Sequence, residues 1–154
     1  MRPDNFLVHG SWPEGLDLLL CDFGGARCEA ADILGSQIPD AGFFNPKEDW
    51  TSDSWTTTEA TDIFALGSVL YTIITGHWPF RAGGGLFDSG EEHDQYEAHV
   101  EGLFTQGIFP DTHDLIGGEI IHGCWSGGYS TVEDISTSST LNSMKEAQRS
   151  SAKT

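Results

Sequence analysis

Basic side chains are scarce in this sequence. Only 7 of its 154 residues are Lys or Arg, whereas 24 are Asp or Glu, and the formal net charge at pH 7 is -17. Proteins bind nucleic acids and anionic membranes largely through Lys and Arg, because cationic side chains release the counterions condensed on a polyanion. The scarcity of these residues argues against nucleic acid and against an anionic membrane surface as partners.

Cysteines and long apolar runs are also few. The three cysteines, Cys21, Cys28 and Cys124, are an odd number without metal-type spacing, which does not indicate a disulfide framework. No apolar secretory stretch follows Met1. The longest apolar run, at 63–74, contains polar residues and is too short to cross a bilayer of about 30 Å. These features predict an intracellular, cytoplasmic protein without a membrane partner.

The apolar content is nevertheless sufficient for a folded core. Hydrophobic residues make up 38% of the chain and include nine Phe and five Trp. A chain of this length typically forms one domain. After residue 135 the sequence is rich in Ser and Thr and poor in apolar residues. We therefore expect one domain at 1–135 and a flexible tail at 136–154.

The hydrophobic pattern predicts a small hairpin followed by helices. Apolar runs at 6–8 and 16–21, separated by a loop with Gly and Pro, predict two paired strands. Residues 22–57 have little periodicity, which is typical of an irregular segment. Helical spacing of apolar residues predicts helices at 60–75, 94–106 and 112–125. The predicted fold class is mainly α with a small β-hairpin.

Four short motifs occur in an informative order. Residues 1–5, Met-Arg-Pro-Asp-Asn, precede the first apolar run, and an Asp-Phe-Gly tripeptide at 22–24 ends the second. Thr-Asp-Ile-Phe-Ala-Leu-Gly at 61–67 lies in the first predicted helix, and Cys-Trp at 124–125 ends the third. Together they resemble the C-terminal lobe of a eukaryotic-type protein kinase domain, from the middle of its catalytic loop onward.

The resemblance implies a site for ATP and Mg²⁺. Asn5 and Asp22 match the two metal-ligating residues of the family, whose oxygens suit Mg²⁺. Arg2 matches a basic catalytic-loop residue that contacts the transferring phosphate. Leu7 matches the apolar floor under the adenine ring, and Cys21 stands where the family lines the nucleotide pocket. Arg2 and the proline after it resemble the serine/threonine-specific pattern.

Two further residues are implied to have supporting roles. Asp62 matches a helix aspartate whose carboxylate accepts backbone N–H bonds from the catalytic loop. Glu48 stands in the register of a glutamate that pairs with an arginine near the end of the family's activation segment. Residues 126–135 contain no arginine, so Glu48 is expected to lack that partner.

The part of the family pattern that the chain matches begins after the catalytic aspartate. That aspartate would precede Met1, and the glycine-rich loop and the strand lysine of the family lie further upstream. We therefore expect this chain, taken alone, to be inactive as a protein kinase and to bind ATP much more weakly than a full domain, because the upstream contacts to the nucleotide are missing. The alternative is a non-catalytic, pseudokinase-like interaction module. The protein substrate or binding partner stays open.

A histidine-containing acidic stretch raises a separate question. His93 and His99 lie among acidic residues at 91–101. Their six-residue spacing does not place the two imidazoles on adjacent turns of a helix. We interpret the stretch as a solvated acidic segment rather than a metal site.

Overall fold

A computed structural model of the chain describes residues 1–11, 15–26, 28, 30, 40–50, 52 and 55–140. The predicted tail from residue 141 onward lies outside the described residues, as does the stretch 31–39 of the predicted irregular segment. In the described part of that segment, turns and bends predominate.

The regular structure is mainly helical, with one two-stranded antiparallel sheet, as predicted. A short 3-10 helix, Pro3–Asn5, comes first. It is followed by β1 (Phe6–Ser11), β2 (Gly15–Leu20), α1 (Glu59–Thr75), α2 (Gly90–Thr105), α3 (Gly118–Ser126) and α4 (132–140). No helix among the described residues combines the length and the apolar character that a membrane span requires.

The hairpin forms where the sequence pattern predicted it. β1 and β2 pair along their whole length, with Phe6 opposite Leu20. Beyond the last pair, the N–H of Cys21 donates to the carbonyl oxygen of Asn5 at 2.8 Å. The predicted strands are confirmed, although β1 continues to Ser11. The Cys21 bond ties the end of the hairpin to the 3-10 helix.

The ends of α1 are defined by local hydrogen bonds and by glycine. The hydroxyl of Thr58 accepts the N–H of Thr61 at 3.3 Å, and the hydroxyl of Thr61 accepts the N–H of Thr58 at 3.1 Å. These bonds satisfy donors that a helix start leaves free. Gly76 ends the helix with a left-handed φ of 79°, which favours glycine. The helix predicted at 60–75 is confirmed to within one residue.

Polar capping starts α2 earlier than predicted. Ser89 accepts the N–H of Glu92 through its hydroxyl at 3.1 Å, and the Glu92 carboxylate accepts the N–H of Asp88 at 2.6 Å. These two bonds stabilise an additional first turn, before the predicted start at residue 94. The apolar face begins only at Tyr96, so hydrophobic periodicity could not reveal this turn.

Two glycines make α3 shorter than predicted. Gly117 has a left-handed φ of 70°, which interrupts helical geometry before the helix starts. At Gly118 a side chain would collide with the carbonyl group of Thr112. The prediction of helix over 112–117 was therefore wrong, because these residues form turns and the helix begins at Gly118.

Aromatic rings form the core between α1, α2 and α3. The ring centroid of Phe104, in α2, lies 5.3 Å from that of Phe64 in α1 and 5.7 Å from that of Trp125 in α3. The indole N–H of Trp125 donates to the hydroxyl of Ser68 at 2.9 Å, so a buried donor has its partner. The turn at 41–44 is also buried. The core thus joins three helices and one turn of the irregular segment.

α4 crosses the domain boundary predicted at residue 135. Ile135 is 7% exposed and packs in a small cluster with apolar residues of α1 and α3. Residues 136–140, expected as the start of the tail, continue this helix. Burial of Ile135 thus anchors the first part of a segment whose composition is otherwise polar.

The close approach of α1 and α3 at Gly67 generates a stability prediction. A Cβ at Gly67 would lie 2.8 Å from the Cβ of Cys124 and 3.2 Å from the carbonyl oxygen of Ile121. We expect Gly67→Ala to lower the free energy of unfolding by roughly 1–3 kcal/mol, because the helices must separate. Urea denaturation followed by circular dichroism measures the change.

Gly102→Ala is the matched control for Gly67→Ala. Gly102 lies within α2, and nothing stands within 4 Å of its Cβ position. Alanine there is expected to stabilise the protein by up to about 1 kcal/mol through helix propensity. A Gly67→Ala variant as stable as Gly102→Ala would contradict the tight contact between α1 and α3.

Candidate functional site

The junction between the 3-10 helix and the hairpin brings the two predicted metal ligands to one end of the sheet. Asn5 accepts the backbone N–H of Cys21 through its carbonyl oxygen at 2.8 Å, and Asp22 is the next residue. The Asn5 side chain is also held, because its Oδ1 accepts the backbone N–H of Arg2 at 3.0 Å. Asn5 and Asp22 are thus positioned by the same local network.

Asp22 has an uncommon backbone conformation. Its φ of 57° is in the left-handed region that residues other than glycine rarely adopt. Oδ1 of Asp22 accepts the N–H of Gly24 at 3.3 Å, and such a local bond helps aspartate to tolerate this conformation. Strained backbone of this kind occurs preferentially at functional sites. The residue is exposed, so its other carboxylate oxygen is accessible to a ligand.

The donor atoms of Asn5 and Asp22 fit Mg²⁺. Both side chains offer hard oxygen ligands, and each retains acceptor capacity beyond its one hydrogen bond to a backbone N–H. Mg²⁺ commonly takes one or two protein oxygens and completes its shell with water and phosphate oxygens. The chemistry of these two donor groups is therefore compatible with the protein's share of such a site.

The predicted phosphate contact, Arg2, is engaged by carboxylates. Its Nη1 donates to Oδ2 of Asp40 at 3.0 Å, and its Nε lies 3.7 Å from Oδ2 of Asp4. The hydrogen bond and the charge of Asp40 raise the pKa of the guanidinium. Much of the positive charge of Arg2 is thus balanced within the protein. Sequence reasoning missed Asp40, because it lies 38 residues away in a segment without motif or periodicity.

Asp62, predicted to support the catalytic loop, lies in the first turn of α1. Desolvation raises the pKa of its carboxyl group, and the positive α-amino group of Met1 acts in the opposite direction. α1 also contacts the 3-10 helix. The structure therefore places Asp62 near the junction, with an electrostatic link to the first residue of the chain.

Glu48 has neutral partners at the position where the family has an arginine. Its Oε2 accepts the indole N–H of Trp55 at 3.1 Å and the hydroxyl of Thr61 at 3.1 Å. Thr61 is buried at the start of α1. The carboxylate thus connects the irregular segment to the N-terminus of a helix, where the helix dipole favours negative charge. Glu48 has a structural role without a salt bridge to arginine in the described part of the chain.

The predicted nucleotide pocket has an open apolar wall. The Leu7 side chain is 52% exposed, and Cys21 is half-buried, with its thiol 3.9 Å from the carbonyl oxygen of Asp4. Exposed apolar side chains lie on both faces of this part of the hairpin, because successive strand residues point to opposite faces, and together we call them the apolar hairpin surface: Leu7, Val8, Leu18, Leu19, Leu20 and Phe23. Such a surface is available to a ligand or to another protein segment.

The raised pKa of Asp62 generates a prediction about stability and pH. A carboxyl group whose pKa is higher in the folded state than in the unfolded state destabilises the fold when it is ionised, and this cost disappears as the pH falls through the raised pKa. We expect Asp62→Asn to raise the urea midpoint at pH 7 only slightly, because the residue is exposed and water screens much of its charge. The difference from the unaltered protein should shrink on acidification.

Asp17→Asn, at an exposed position in β2, is the control for the Asp62 experiment and should leave the midpoint nearly unchanged. The opposite result at Asp62 is also informative. If Asp62→Asn lowers the midpoint at pH 7, its carboxylate contributes stabilising hydrogen bonds, as the family resemblance implies, and desolvation is not the dominant effect.

Comparison with known proteins relates part of the chain to a kinase. MAP kinase kinase mkk-4 of Caenorhabditis elegans is 32% identical to the chain over 91 residues, which cover 57% of this chain and 23% of that protein. The match therefore spans less than a quarter of the relative's length. No family model and no solved structure matches the chain. The similarity supports a kinase-like relationship for this part of the chain.

Proposed function

We propose that residues 1–135 form the C-terminal lobe of a protein-kinase-type domain, whose hairpin end binds Mg²⁺ and the phosphates of ATP. The order of the motifs and the partial similarity to a MAP kinase kinase support this proposal. The observation that carries it is the backbone hydrogen bond from Cys21 to Asn5, because it places Asn5 and Asp22 at one end of the hairpin.

In this proposal the residues of the site bind and orient the nucleotide. Asn5 and Asp22 hold Mg²⁺, which when bound neutralises charge on the phosphates. Arg2 contacts a phosphate after it is released from Asp40. Leu7 supports the adenine ring, since about half of its side chain is free. These contributions are positioning and electrostatics, on which phosphoryl transfer mainly depends.

The proposed reaction class is transfer of the γ-phosphate of ATP to a serine or threonine hydroxyl of a protein. The basic residue at position 2 and the proline after it support this class by resemblance. The family's catalytic aspartate and strand lysine have no match among the 154 residues, and kinase catalysis uses both. We therefore propose that the chain, tested alone, binds nucleotide without phosphorylating a protein.

Magnesium-dependent ATP binding tests the proposed site. Isothermal titration calorimetry of the purified chain should show ATP binding that requires Mg²⁺. We expect Asp22→Asn to weaken this binding at least about tenfold, which corresponds to about 1.4 kcal/mol. The substitution removes the anionic ligand, but its amide oxygen can still accept the N–H of Gly24.

The control for the Asp22 experiment is Asp17→Asn, which changes the same charge on the same hairpin, in the exposed part of β2. It should leave ATP binding unchanged. Circular dichroism first establishes that each variant is folded. A folded chain that binds no ATP with Mg²⁺, or that binds it equally well after Asp22→Asn, would contradict the proposed nucleotide site.

The ion pair between Arg2 and Asp40 generates a second prediction for the same assay. Asp40→Asn should increase the affinity for ATP about two- to fivefold, because it frees a guanidinium that a partly exposed ion pair restrains. Asp4→Asn is the matched control and should have a smaller effect, since its carboxylate lies farther from Arg2, at 3.7 Å. An unchanged or lower affinity in Asp40→Asn would show that Arg2 does not contact the nucleotide.

A non-catalytic interaction module is the second candidate. The observation that favours it is the apolar hairpin surface, which a protein partner could cover. The aromatic core involves α1, α2 and α3 and does not depend on the nucleotide site. A folded chain without ATP binding in the calorimetric experiment would favour this candidate over the first.

A further inference from the structure

Three side chains of metal-ligating type converge beside the ion pair of Arg2 with Asp40. Asp40, His93 and Glu97 each offer one ligand atom, and these atoms all lie within 4.8 Å of one another. All three residues are partly buried. Among the residues that the structure describes, this is the group of His, Cys, Asp and Glu side chains that meets the geometry of a metal centre.

The fold brings the three side chains together from two distant parts of the chain. His93 and Glu97 are one turn apart on α2, with Nδ1 and Oε2 separated by 3.9 Å. The other oxygen of Glu97, Oε1, accepts the backbone N–H of Ala41 at 3.4 Å. This bond holds the turn that carries Asp40 against α2, and Ala41 is itself only 4% exposed. The arrangement therefore belongs to the folded framework.

The orientation of the imidazole is also restricted. The His93 ring lies edge-on to Phe87, with centroids 4.7 Å apart. Ligands held by packing and by hydrogen bonds to neighbouring groups bind metals better than free side chains do. Sequence reasoning compared His93 with His99 and found no ligand pair. The partner that the helix places beside His93 is Glu97, four residues on, and the third residue comes from another segment.

The donor set selects the kind of cation. One imidazole nitrogen and two carboxylate oxygens suit Zn²⁺ and similar divalent transition metals, whereas Mg²⁺ and Ca²⁺ prefer oxygen ligands alone. In a tetrahedral zinc site, ligand atoms are about 3.3 Å apart, so closing the group requires side-chain shifts of only about 1.5 Å. Partial exposure leaves room for water as a fourth ligand, and the net charge of -17 favours cations near the surface.

We propose that Asp40, His93 and Glu97 form a binding site for a divalent transition metal of the Zn²⁺ class, with one position open to water. The site does not rest on the proposed nucleotide function, because Asn5 and Asp22 take no part in it. It shares one element with that site, since Oδ2 of Asp40 accepts Nη1 of Arg2. A carboxylate has lone pairs for both an arginine and a metal.

Zinc binding to the untagged, chelator-treated chain tests the proposal. Titration with ZnCl₂ against a competing chromogenic chelator should show one tight site per chain. His93→Ala and Glu97→Gln should each weaken it by at least about tenfold, because each removes a ligand. Glu97→Gln is the milder variant, since the glutamine side-chain oxygen can still accept the N–H of Ala41 and hold the turn.

His99→Ala is the matched control for the zinc titration, because His99 lies on the same helix at an exposed position outside the group. It should leave the tight site unchanged, and millimolar Mg²⁺ should not displace the zinc. Co²⁺ offers an independent readout, since the visible bands of the bound ion should disappear in His93→Ala. A chain without a tight site, or tight binding that persists in folded His93→Ala and Glu97→Gln, would overturn the proposal.

Discussion

The close contact of α1 with α3 at Gly67 is the constraint on which the described structure depends. Since position 67 carries no side chain, Trp125 lies near α1 and donates its indole hydrogen bond to Ser68. Trp125 in turn contacts Phe104, which brings α2 into the same aromatic core. The buried turn at 41–44 rests on α2, where a side chain at Gly42 would meet Tyr96 and Val100. The position of Asp40 therefore follows from helix packing.

The hairpin is less firmly attached to the protein than the three core helices are. Its strands are stabilised mainly by their mutual ladder, and the apolar hairpin surface remains exposed. In the described part of the chain, the segment that precedes the hairpin is attached through the ion pair of Arg2 with Asp40 and through the contact of the 3-10 helix with α1. Elements with few buried contacts open at lower free energy than the core. The hairpin can therefore adjust to a ligand without disturbing the aromatic packing.

Local sequence patterns were sufficient to predict some of these helices and residues, but not others. α1 was predictable because the apolar spacing and the terminal glycine agree on its bounds, whereas its threonine cap became evident only in the structure. The start of α2 depends on the polar cap at Ser89, and the start of α3 depends on the left-handed conformation of Gly117. Hydrophobic periodicity predicts neither feature. Asn5 and Asp22 were predicted as ligands because their motifs are contiguous. Asp40 was not, since its partners are set by tertiary packing over long sequence separations.

One carboxylate takes part in both proposed sites. Asp40 binds the guanidinium of Arg2 on the hairpin side and lies beside His93 and Glu97 on the helix side. Occupants that share a side chain are thermodynamically linked, and the linkage is reciprocal. In the two proposals, a cation bound on the helix side would weaken the ion pair of Asp40 with Arg2, and a phosphate bound to Arg2 would strengthen cation binding at Asp40 by the same factor. The turn at residue 40 would thereby couple ligand binding at the hairpin to cation binding at α2.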